Sequence, residues 1–341
     1  MKKLFTFLVF FVSFGFGSIF LKFSVHLHEG ISQNIVQYPH LSNNMCNNQK
    51  YKKFAIATIL TINASNYIDL AEVLGYSITK YSDLDCGIDR ILITSKHNYM
   101  YYEDEKRLNN AGWNIVYNSP VADPINLRLF HQTQKILTRY VGQFSKLNIF
   151  NMTQYDAILY VDSDTIVTGN ITELFDVHSN VMRKKGIHLG WVKDDSSMFP
   201  DKYNAGVMLI IPSNEIYHQL MIKMHILLYD IAWAEQAFLN TVYNTKKYVE
   251  INSVHTQFYE LPLQFNVMSS LPATNASEWN RIKHNVRIFH FTWIKPTVWL
   301  LTPSCVWMGI VPFCNKWTQI KLEITKCQHT YKPSNKNEEC N

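Results

Sequence analysis

Between residues 53 and 117 the apolar and polar positions switch repeatedly between the strand period and the helix period. Phe54–Thr61 and Ile88–Thr94 are short, apolar and rich in β-branched residues, which is typical of buried strands. Tyr67–Tyr81 and Tyr101–Ala111 carry apolar residues at helical spacing, and Trp113–Tyr117 predicts another short strand. This alternation predicts an α/β fold with a mostly parallel sheet flanked by helices. Ligands of such sheets bind beyond the carboxyl ends of the strands.

A further apolar run, Ile158–Val161, leads directly into two carboxylates, Asp162 and Asp164. Two like charges this close repel, and burying them without a partner is costly. A divalent cation removes that cost, because Mg²⁺ and Mn²⁺ take carboxylate oxygens and also suit phosphate oxygens. The pattern therefore indicates a platform for a metal and a diphosphate. A solvated acidic turn is the alternative.

A third metal ligand and a cation for the phosphates are expected elsewhere in the chain. The apolar run that begins at Val286 ends near His290, and Lys295 follows directly before Pro296. A neutral imidazole at a strand end can ligate a metal, and a nearby ammonium can hold a phosphate. The alternative for His290 is a core histidine with satisfied hydrogen bonds.

The N-terminus is predicted to be a targeting segment. Lys2 and Lys3 precede an apolar run over residues 4–21, so residues 1–22 are either a signal peptide or a signal anchor. Cleavage after residue 17 would give a secreted protein, whereas an anchor with these charges would leave the rest of the chain luminal. A buried N-terminal helix is the remaining alternative. Residues 23–52 are polar and are expected to form a stem.

Composition narrows the class of protein. The chain has 32 basic and 27 acidic side chains, a net charge of +5, and this mild excess is not typical of a nucleic-acid-binding protein. Its 6 cysteines lack a C-x-x-C pair, which disfavours zinc, and the last four lie in a predicted extension over residues 301–341. Sequons at Asn63, Asn151, Asn170 and Asn275 are candidates for luminal glycosylation. The tryptophan-rich stretch 297–313 is expected to be a core flap, a membrane-surface patch or an acceptor-binding patch.

Several motifs in order resemble family 8 of the glycosyltransferases, which includes glycogenin. The resemblance is greatest to the plant-type glycogenin-like glucuronosyltransferases. It rests on four blocks: Ser145–Val167, Tyr203–Ser213, Ala234–Asn240 and His290–Pro296. Motifs in a fixed order are more specific than any one of them alone. The resemblance implies a catalytic domain of GT-A type, Rossmann-like and nucleotide-binding, over residues 53–300.

The resemblance also implies roles for single residues. The implied metal ligands are Asp162, Asp164 and His290, holding Mn²⁺ or Mg²⁺. The implied donor-binding residues are Thr61, Asn63, Tyr67, Asn204, Gly206 and Lys295, and those nearest the reaction are Lys146, Glu235 and Gln236. Two residues depart from the family pattern: Glu235 replaces the usual Asp, and Trp293 replaces a Gly. No tyrosine stands out as a site of self-glycosylation.

The hypothesis is a retaining, metal-dependent glycosyltransferase of the secretory pathway, with its catalytic domain in the Golgi lumen. It would move a hexose or hexuronic acid from a UDP-sugar to a hydroxyl of a glycan, glycolipid or protein. The N-terminal segment would supply the membrane contact, and no nucleic acid is expected as a partner. The sequence leaves the sugar, the acceptor and the oligomeric state open. The rival hypotheses are an inactive nucleotide- or glycan-binding protein with this fold and a nucleotide-sugar pyrophosphorylase; the absence of a glycine-rich phosphate loop counts against the latter.

Overall fold

The structure is a computed structural model, and its described residues all belong to one compact unit, Tyr38–Asn341. The described ranges are 53–61, 65–82, 88–95, 100–118, 142–194, 202–230, 233–243, 257–296 and 301–330. The predicted targeting segment 1–22, the stem 23–52 and Asn63 lie outside them.

A seven-stranded sheet forms the centre of the fold, in the order β3-β2-β1-β4-β7-β6-β8. Its strands are β1 Phe54–Leu60, β2 Ile88–Ser95, β3 Asn114–Asn118, β4 Ala157–Val161, β6 Leu189–Lys193, β7 Tyr203–Ile210 and β8 Phe258–Glu260. Neighbours pair in parallel except β7, which is antiparallel to both β4 and β6. The expected mostly parallel α/β fold is confirmed.

A small second sheet carries one side of the site. It has the order β5-β10-β9, with β5 Thr165–Val167, β9 Val267–Met268 and β10 Ile288–His290. β10 pairs antiparallel with β5 and parallel with β9. The pairing sets His290 opposite Thr165, directly after the two acids at the end of β4.

Helices cover both faces of the large sheet. They are α1 Ser65–Tyr81, α2 Tyr102–Asn110, α3 Ser179–Lys184, α4 Asn214–Ile226, α5 Ala234–Tyr243, α6 Leu271–Thr274, α7 Ala276–Ile282, α8 Leu301–Trp307 and α9 Val311–Thr330, with 3₁₀ helices at Gly142–Asn151 and Leu263–Phe265 and a π-helical turn at Leu174–His178. Side chains alternate along β1, so Ala55 and Ala57 join one apolar core while Ile56 and Leu60 join another. Burial on both faces explains why β1 reads as a continuous apolar run.

The predicted element bounds agree with the structure to within two residues for the first five elements. Two differences affect the site. α1 begins at Ser65, so Tyr67 lies in the first turn of a helix rather than in the loop after β1. The strand that ends in His290 is shorter than the apolar run that begins at Val286, because only Ile288–His290 are paired in the sheet.

Helices α8 and α9 of the predicted extension pack against α1 and the second sheet. A third apolar core joins Phe313 and Trp317 of α9 to Val73 of α1 and Phe289 of β10. A disulfide links Cys305 to Cys314. In the stretch 297–313, the described side chains are divided: Cys305, Met308, Ile310 and Phe313 are buried, whereas Val306 and Trp307 are exposed. Among the described residues, no helix has the length and apolarity needed to cross a membrane.

Candidate active site

Asp162, Asp164 and His290 meet at the carboxyl end of β4. Each offers one ligand atom, and these atoms lie within 4.8 Å of one another. β4 is fully buried between β1 and β7, so its end delivers the acids to the edge of the sheet. The backbone N–H of Phe291 donates to the carbonyl of Asp164 at 2.9 Å, which fixes the turn after β4 against β10. The structure therefore brings the three predicted metal ligands together.

Each carboxylate has one oxygen toward His290 and the other held by a lysine. Asp162 Oδ2 lies 3.8 Å and Asp164 Oδ1 lies 3.2 Å from His290 Nε2. Asp162 Oδ1 accepts from Lys146 Nζ at 2.9 Å and from the Tyr160 hydroxyl. Asp164 Oδ2 is paired with Lys295. We call Asp162 Oδ2 and Asp164 Oδ1 the inner oxygens and the two lysine-bound oxygens the outer oxygens. The inner oxygens and His290 Nε2 face a common point.

Lys295 is fixed in place by its own strand end. Its ammonium also donates to the carbonyls of Phe291 at 2.9 Å and Thr292 at 3.2 Å. Burial tends to raise the pKa of Asp164, but Lys295 and His290 outweigh it and hold that pKa well below its ordinary value. Asp164 is therefore a carboxylate at neutral pH, as a metal ligand must be.

Lys146 lies on the 3₁₀ helix Gly142–Asn151 and joins Asp162 to Glu235. Its ammonium is 2.7 Å from Glu235 Oε1. Burial lowers the pKa of Lys146, but Asp162 and Glu235 together hold it above its ordinary value. Burial also raises the pKa of Glu235, and the pairing with Lys146 offsets only part of that rise. Lys146 is thus held as a charged ammonium between Asp162 and Glu235.

Strand β7 contributes Asn204 and Gly206. The backbone N–H of Gly206 donates to Asn204 Oδ1 at 2.8 Å, and its carbonyl accepts from the N–H of Asp162 at 2.7 Å. A Cβ on Gly206 would overlap the His290 ring, reaching 2.7 Å from Nδ1. Gly206 therefore makes room for the imidazole. The oxygen of Asn204 also accepts from Asn266 Nδ2 at 3.0 Å, so its amide nitrogen is the atom that remains for a ligand.

Glu235 and Gln236 lie in the first turn of α5, facing β7. Gln236 Oε1 accepts from the N–H of Ala205 at 3.0 Å, and Asn240 Nδ2 donates to the Gln236 carbonyl at 2.9 Å. Ala234, directly before the pair, has φ of 47°. A left-handed alanine costs of order 1 kcal/mol and marks a site where surrounding contacts fix the backbone. Here it sets the angle at which the pair enters the site.

Thr61 directly follows β1, at the same sheet edge as the end of β4. A Cβ on Gly142 would come within 2.7 Å of Thr61 Cβ, so Thr61 packs on the start of the helix that carries Lys146. Tyr67 is half-buried between two apolar cores. These positions suit a nucleotide-binding edge, and the uridine contact remains a prediction.

Two residues of the site were not predicted from the sequence. Tyr160 lies two residues before Asp162 on the same strand face, and that period-2 spacing was the available signal. Asn266 Oδ1 lies 3.1 Å from His290 Nδ1. It sits in a turn between the 3₁₀ helix Leu263–Phe265 and β9, and no sequence pattern marks it.

The donor set fits a divalent cation such as Mn²⁺ or Mg²⁺. Two carboxylate oxygens and an imidazole nitrogen converge, and carboxylates favour hard cations while imidazole suits first-row transition metals. Mn²⁺ accepts both ligand types.

Comparisons with known proteins show the family to which the chain belongs. A family model for glycosyl transferase family 8 matches residues 45–299. The chain is 26% identical over 271 residues to inositol phosphorylceramide glucuronosyltransferase 1 of Arabidopsis thaliana, covering 74% of this chain and 44% of that protein. It is 29% identical over 176 residues to glycogenin-1 of Caenorhabditis elegans, covering 52% and 35%. The chain thus spans less than half the length of these curated relatives.

The fold is similar to that of the bifunctional glycosyltransferase WbbM in its apo structure, with a TM-score of 0.55 at 15% identity, covering 82% of this chain and 52% of that one. It is also similar to an active-site mutant of LgtC, with a TM-score of 0.50 at 16% identity, covering 78% and 94%. The class is therefore the GT-A glycosyltransferase fold. The match over residues 45–299 shows that the chain belongs to glycosyltransferase family 8.

Proposed function

We propose that this protein is a metal-dependent, retaining glycosyltransferase that moves a hexose or hexuronic acid from a UDP-sugar to an acceptor hydroxyl. The observation that carries the proposal is the convergence of Asp162, Asp164 and His290 between two lysines at the carboxyl edge of the sheet. Cation ligands beside fixed ammonium groups suit a diphosphate, whose charge grows as it leaves.

The chain's own residues divide the work of holding the donor. Asp162, Asp164 and His290 would hold Mn²⁺, which when bound supplies Lewis-acid stabilisation of the leaving phosphates. Lys295 donates to Asp164 and two backbone carbonyls, so a phosphate oxygen would have to replace one of these acceptors while the others hold the ammonium beside the metal ligands. Lys146 is pinned by Asp162 and Glu235 and keeps its charge there.

The sugar would lie against β7 and the first turn of α5. The amide groups of Asn204 and Gln236 offer hydrogen bonds to its hydroxyls, and each is oriented by a backbone N–H. Glu235, which is paired with Lys146, would position or stabilise the sugar, and the proposed mechanism needs no protein nucleophile. In front-face transfer the acceptor oxygen bonds to the anomeric carbon as the bond to phosphate breaks, and the acceptor's proton passes to the departing phosphate oxygen.

The acceptor proposed is a glycan, glycolipid or protein hydroxyl. The name of the Arabidopsis thaliana relative supports a glucuronosyl donor with a glycolipid acceptor. The glycogenin relatives, which are glucosyltransferases, support a glucosyl donor. UDP-glucuronate with a glycolipid acceptor and UDP-glucose are therefore the first to be screened.

The first prediction is that Asp164→Asn removes most UDP release. Purified chain is given UDP-glucose, UDP-galactose, UDP-glucuronate or UDP-N-acetylglucosamine with Mn²⁺. Loss of one charged ligand should lower the rate by about a hundredfold or more, because metal stabilisation of the transition state is worth several kcal/mol. Asp176→Asn, at an exposed position on the π-helical turn, is the matched control and should behave as wild type.

Two outcomes would contradict the proposal. An Asp164→Asn chain that turns over at the wild-type rate would show that the acids are not metal ligands. A wild-type chain that binds UDP but releases none from any donor would support the rival hypothesis of an inactive nucleotide-binding protein.

The second prediction concerns location. We propose that residues 1–22 carry the chain into the secretory pathway, with the catalytic domain in the Golgi lumen, anchored to the membrane or secreted after cleavage. The apolar run over residues 4–21 behind Lys2 and Lys3 supports this. Protease added to sealed microsomes should leave the domain intact and digest it once detergent opens the membrane. Digestion without detergent would contradict a luminal domain.

A further inference from the structure

A chain of hydrogen bonds runs from the backbone of β7 to the imidazole of the metal site. The N–H of Gly206 donates to Asn204 Oδ1 at 2.8 Å, and the same oxygen is 3.0 Å from Asn266 Nδ2. Asn266 Oδ1 is in turn 3.1 Å from His290 Nδ1. All three side chains are buried, and Asn266 is 0% exposed. Water therefore does not compete for these groups.

The direction of every bond in this chain follows from its first member. A backbone N–H can only donate, so Asn204 must turn its oxygen toward Gly206. That oxygen accepts a second bond, which only the NH₂ of Asn266 can supply. The oxygen of Asn266 then faces His290, and the pair is satisfied only if Nδ1 carries a proton. Tautomers are assigned from such networks, and this one is anchored on the main chain.

The proton on Nδ1 leaves Nε2 of a neutral imidazole with its lone pair. Nε2 faces Asp164 Oδ1 at 3.2 Å and Asp162 Oδ2 at 3.8 Å. Three electron-pair donors therefore converge on one point. This is the arrangement that a cation completes, since a histidine ligates through its unprotonated nitrogen.

We propose that Asn266 is a positioning residue that fixes His290 as the Nδ1–H tautomer and thereby makes Nε2 a metal ligand. The inference rests on the proposed metal site and goes beyond it, because it assigns the role to an amide in a loop that contacts neither carboxylate. The anchor on β7 means that the tautomer is set before any metal binds. Partners of this kind on the far nitrogen of a metal-binding histidine orient its ring and raise its basicity.

Asn240 serves as the control residue, because it is a buried asparagine whose hydrogen bonds stabilise the core without reaching the metal site. It is also buried, and it bonds the backbone of Tyr203 at 2.9 and 2.8 Å and the carbonyl of Gln236 at 2.9 Å. The hydrogen bonds of Asn240 do not reach His290. Substituting either asparagine by leucine removes a comparable set of buried hydrogen bonds.

The test measures Mn²⁺ binding by the full chain in the absence of any sugar nucleotide. The electron paramagnetic resonance signal of free Mn²⁺ reports how much of the metal is unbound. Asn266→Leu should weaken Mn²⁺ binding by about 10- to 100-fold, as loss of such partners usually does. Asn240→Leu should lower thermal stability and leave Mn²⁺ affinity as in wild type. Equal Mn²⁺ affinity of Asn266→Leu and wild type, equal weakening by both variants, or a wild type that does not bind Mn²⁺ would each overturn the inference.

A second measurement needs no variant at Asn266 and so does not depend on that variant folding. Wild-type chain with ¹⁵N-labelled histidine is measured without any metal, and the His290 signals are identified by their loss in His290→Gln. Nδ1 should show the shift of a protonated nitrogen and Nε2 that of an unprotonated one. The reverse pattern would overturn the inference. Because neither measurement involves sugar transfer, a chain that shows this tautomer but transfers no sugar would disprove the proposed function alone.

Discussion

At the scale of single residues, the site is defined by which oxygen of each carboxylate already makes a hydrogen bond or ion pair within the protein. Lysines and a tyrosine hold the outer oxygens of Asp162 and Asp164, so only the inner oxygens face His290. A carboxylate with one oxygen fixed has less rotational freedom to lose when it binds a cation. The residues around the ligands thus preorganise the ligand atoms.

The third prediction is that Gly206→Ala displaces His290. The added methyl would overlap the imidazole ring and approach Asn204 Oδ1 to 2.8 Å. Crowding of this kind in a packed interior costs about 1–3 kcal/mol, and here it should also weaken Mn²⁺ binding because the ring must move. Gly190→Ala on β6 is the control, since its nearest neighbour is the flexible end of Met182 at 2.9 Å. Urea unfolding and Mn²⁺ titration should separate the two variants; matching Mn²⁺ affinities would contradict the assignment.

The metal ligands were easier to predict from the sequence than the residues that hold those ligands in position. Asp162 and Asp164 were found because two acids after a buried strand break the apolar pattern and demand a counter-charge. Asn266 was missed because its role depends on a contact with a residue 62 positions away, which no local pattern encodes. Tyr160 could have been found from its period-2 spacing to Asp162, but an aromatic residue in a buried strand has a sufficient explanation as core.

At the scale of elements, long periodic segments were predictable and short ones were not. The helical period of apolar residues marks α1 over 17 residues, and apolar, β-branched runs mark β1 and β2 over seven and eight residues. β5, β9 and β10 have three, two and three residues, too few for a period to show. The three strands of the second sheet come from distant parts of the chain and form by pairing with one another. This pairing determines the position of His290, so a local pattern could not predict it.

The fourth prediction concerns the ion pairs that join α1 to α2 and α9. Glu72 on α1 has 1% side-chain exposure and is paired with Arg107 at 2.7 Å and with Lys321 at 2.8 Å. Glu72→Ala would remove the buried member of this cluster, while Asp69 still pairs with both Arg107 and Lys321. The loss of the charged hydrogen bonds to Glu72 should therefore cost about 1.5–3 kcal/mol of unfolding free energy. Asp104→Ala removes one partly exposed contact to Arg107 at 3.3 Å and should cost less than about 1 kcal/mol.

Urea denaturation of both variants measures that difference. Similar losses from Glu72→Ala and Asp104→Ala would show that the buried pairing adds nothing beyond a surface ion pair. The result also bears on α9, because Lys321 of that helix pairs with Glu72 of α1.

At the scale of the whole molecule, the segment after residue 300 is structurally part of the domain that holds the site. The family match ends at residue 299, yet α9 shares a core with the second sheet. Phe313 stacks on Phe289 with ring centroids 4.1 Å apart, and Phe289 directly precedes His290. The predicted boundary between 53–300 and 301–341 thus divides the chain by family pattern, whereas the apolar core crosses it.

The fifth prediction is that Phe313→Ala destabilises the domain and weakens the metal site together. Removing a buried phenyl ring should cost about 3–5 kcal/mol, and the loss of support beneath β10 should loosen His290 and lower Mn²⁺ affinity. Leu322→Ala on the same helix is the control, because Leu322 is 56% exposed and should change stability by no more than about 0.5 kcal/mol. Unfolding by urea and Mn²⁺ titration of the folded protein measure the two effects separately. If Phe313→Ala lowers stability but binds Mn²⁺ as tightly as the control, α9 supports the fold without supporting the site.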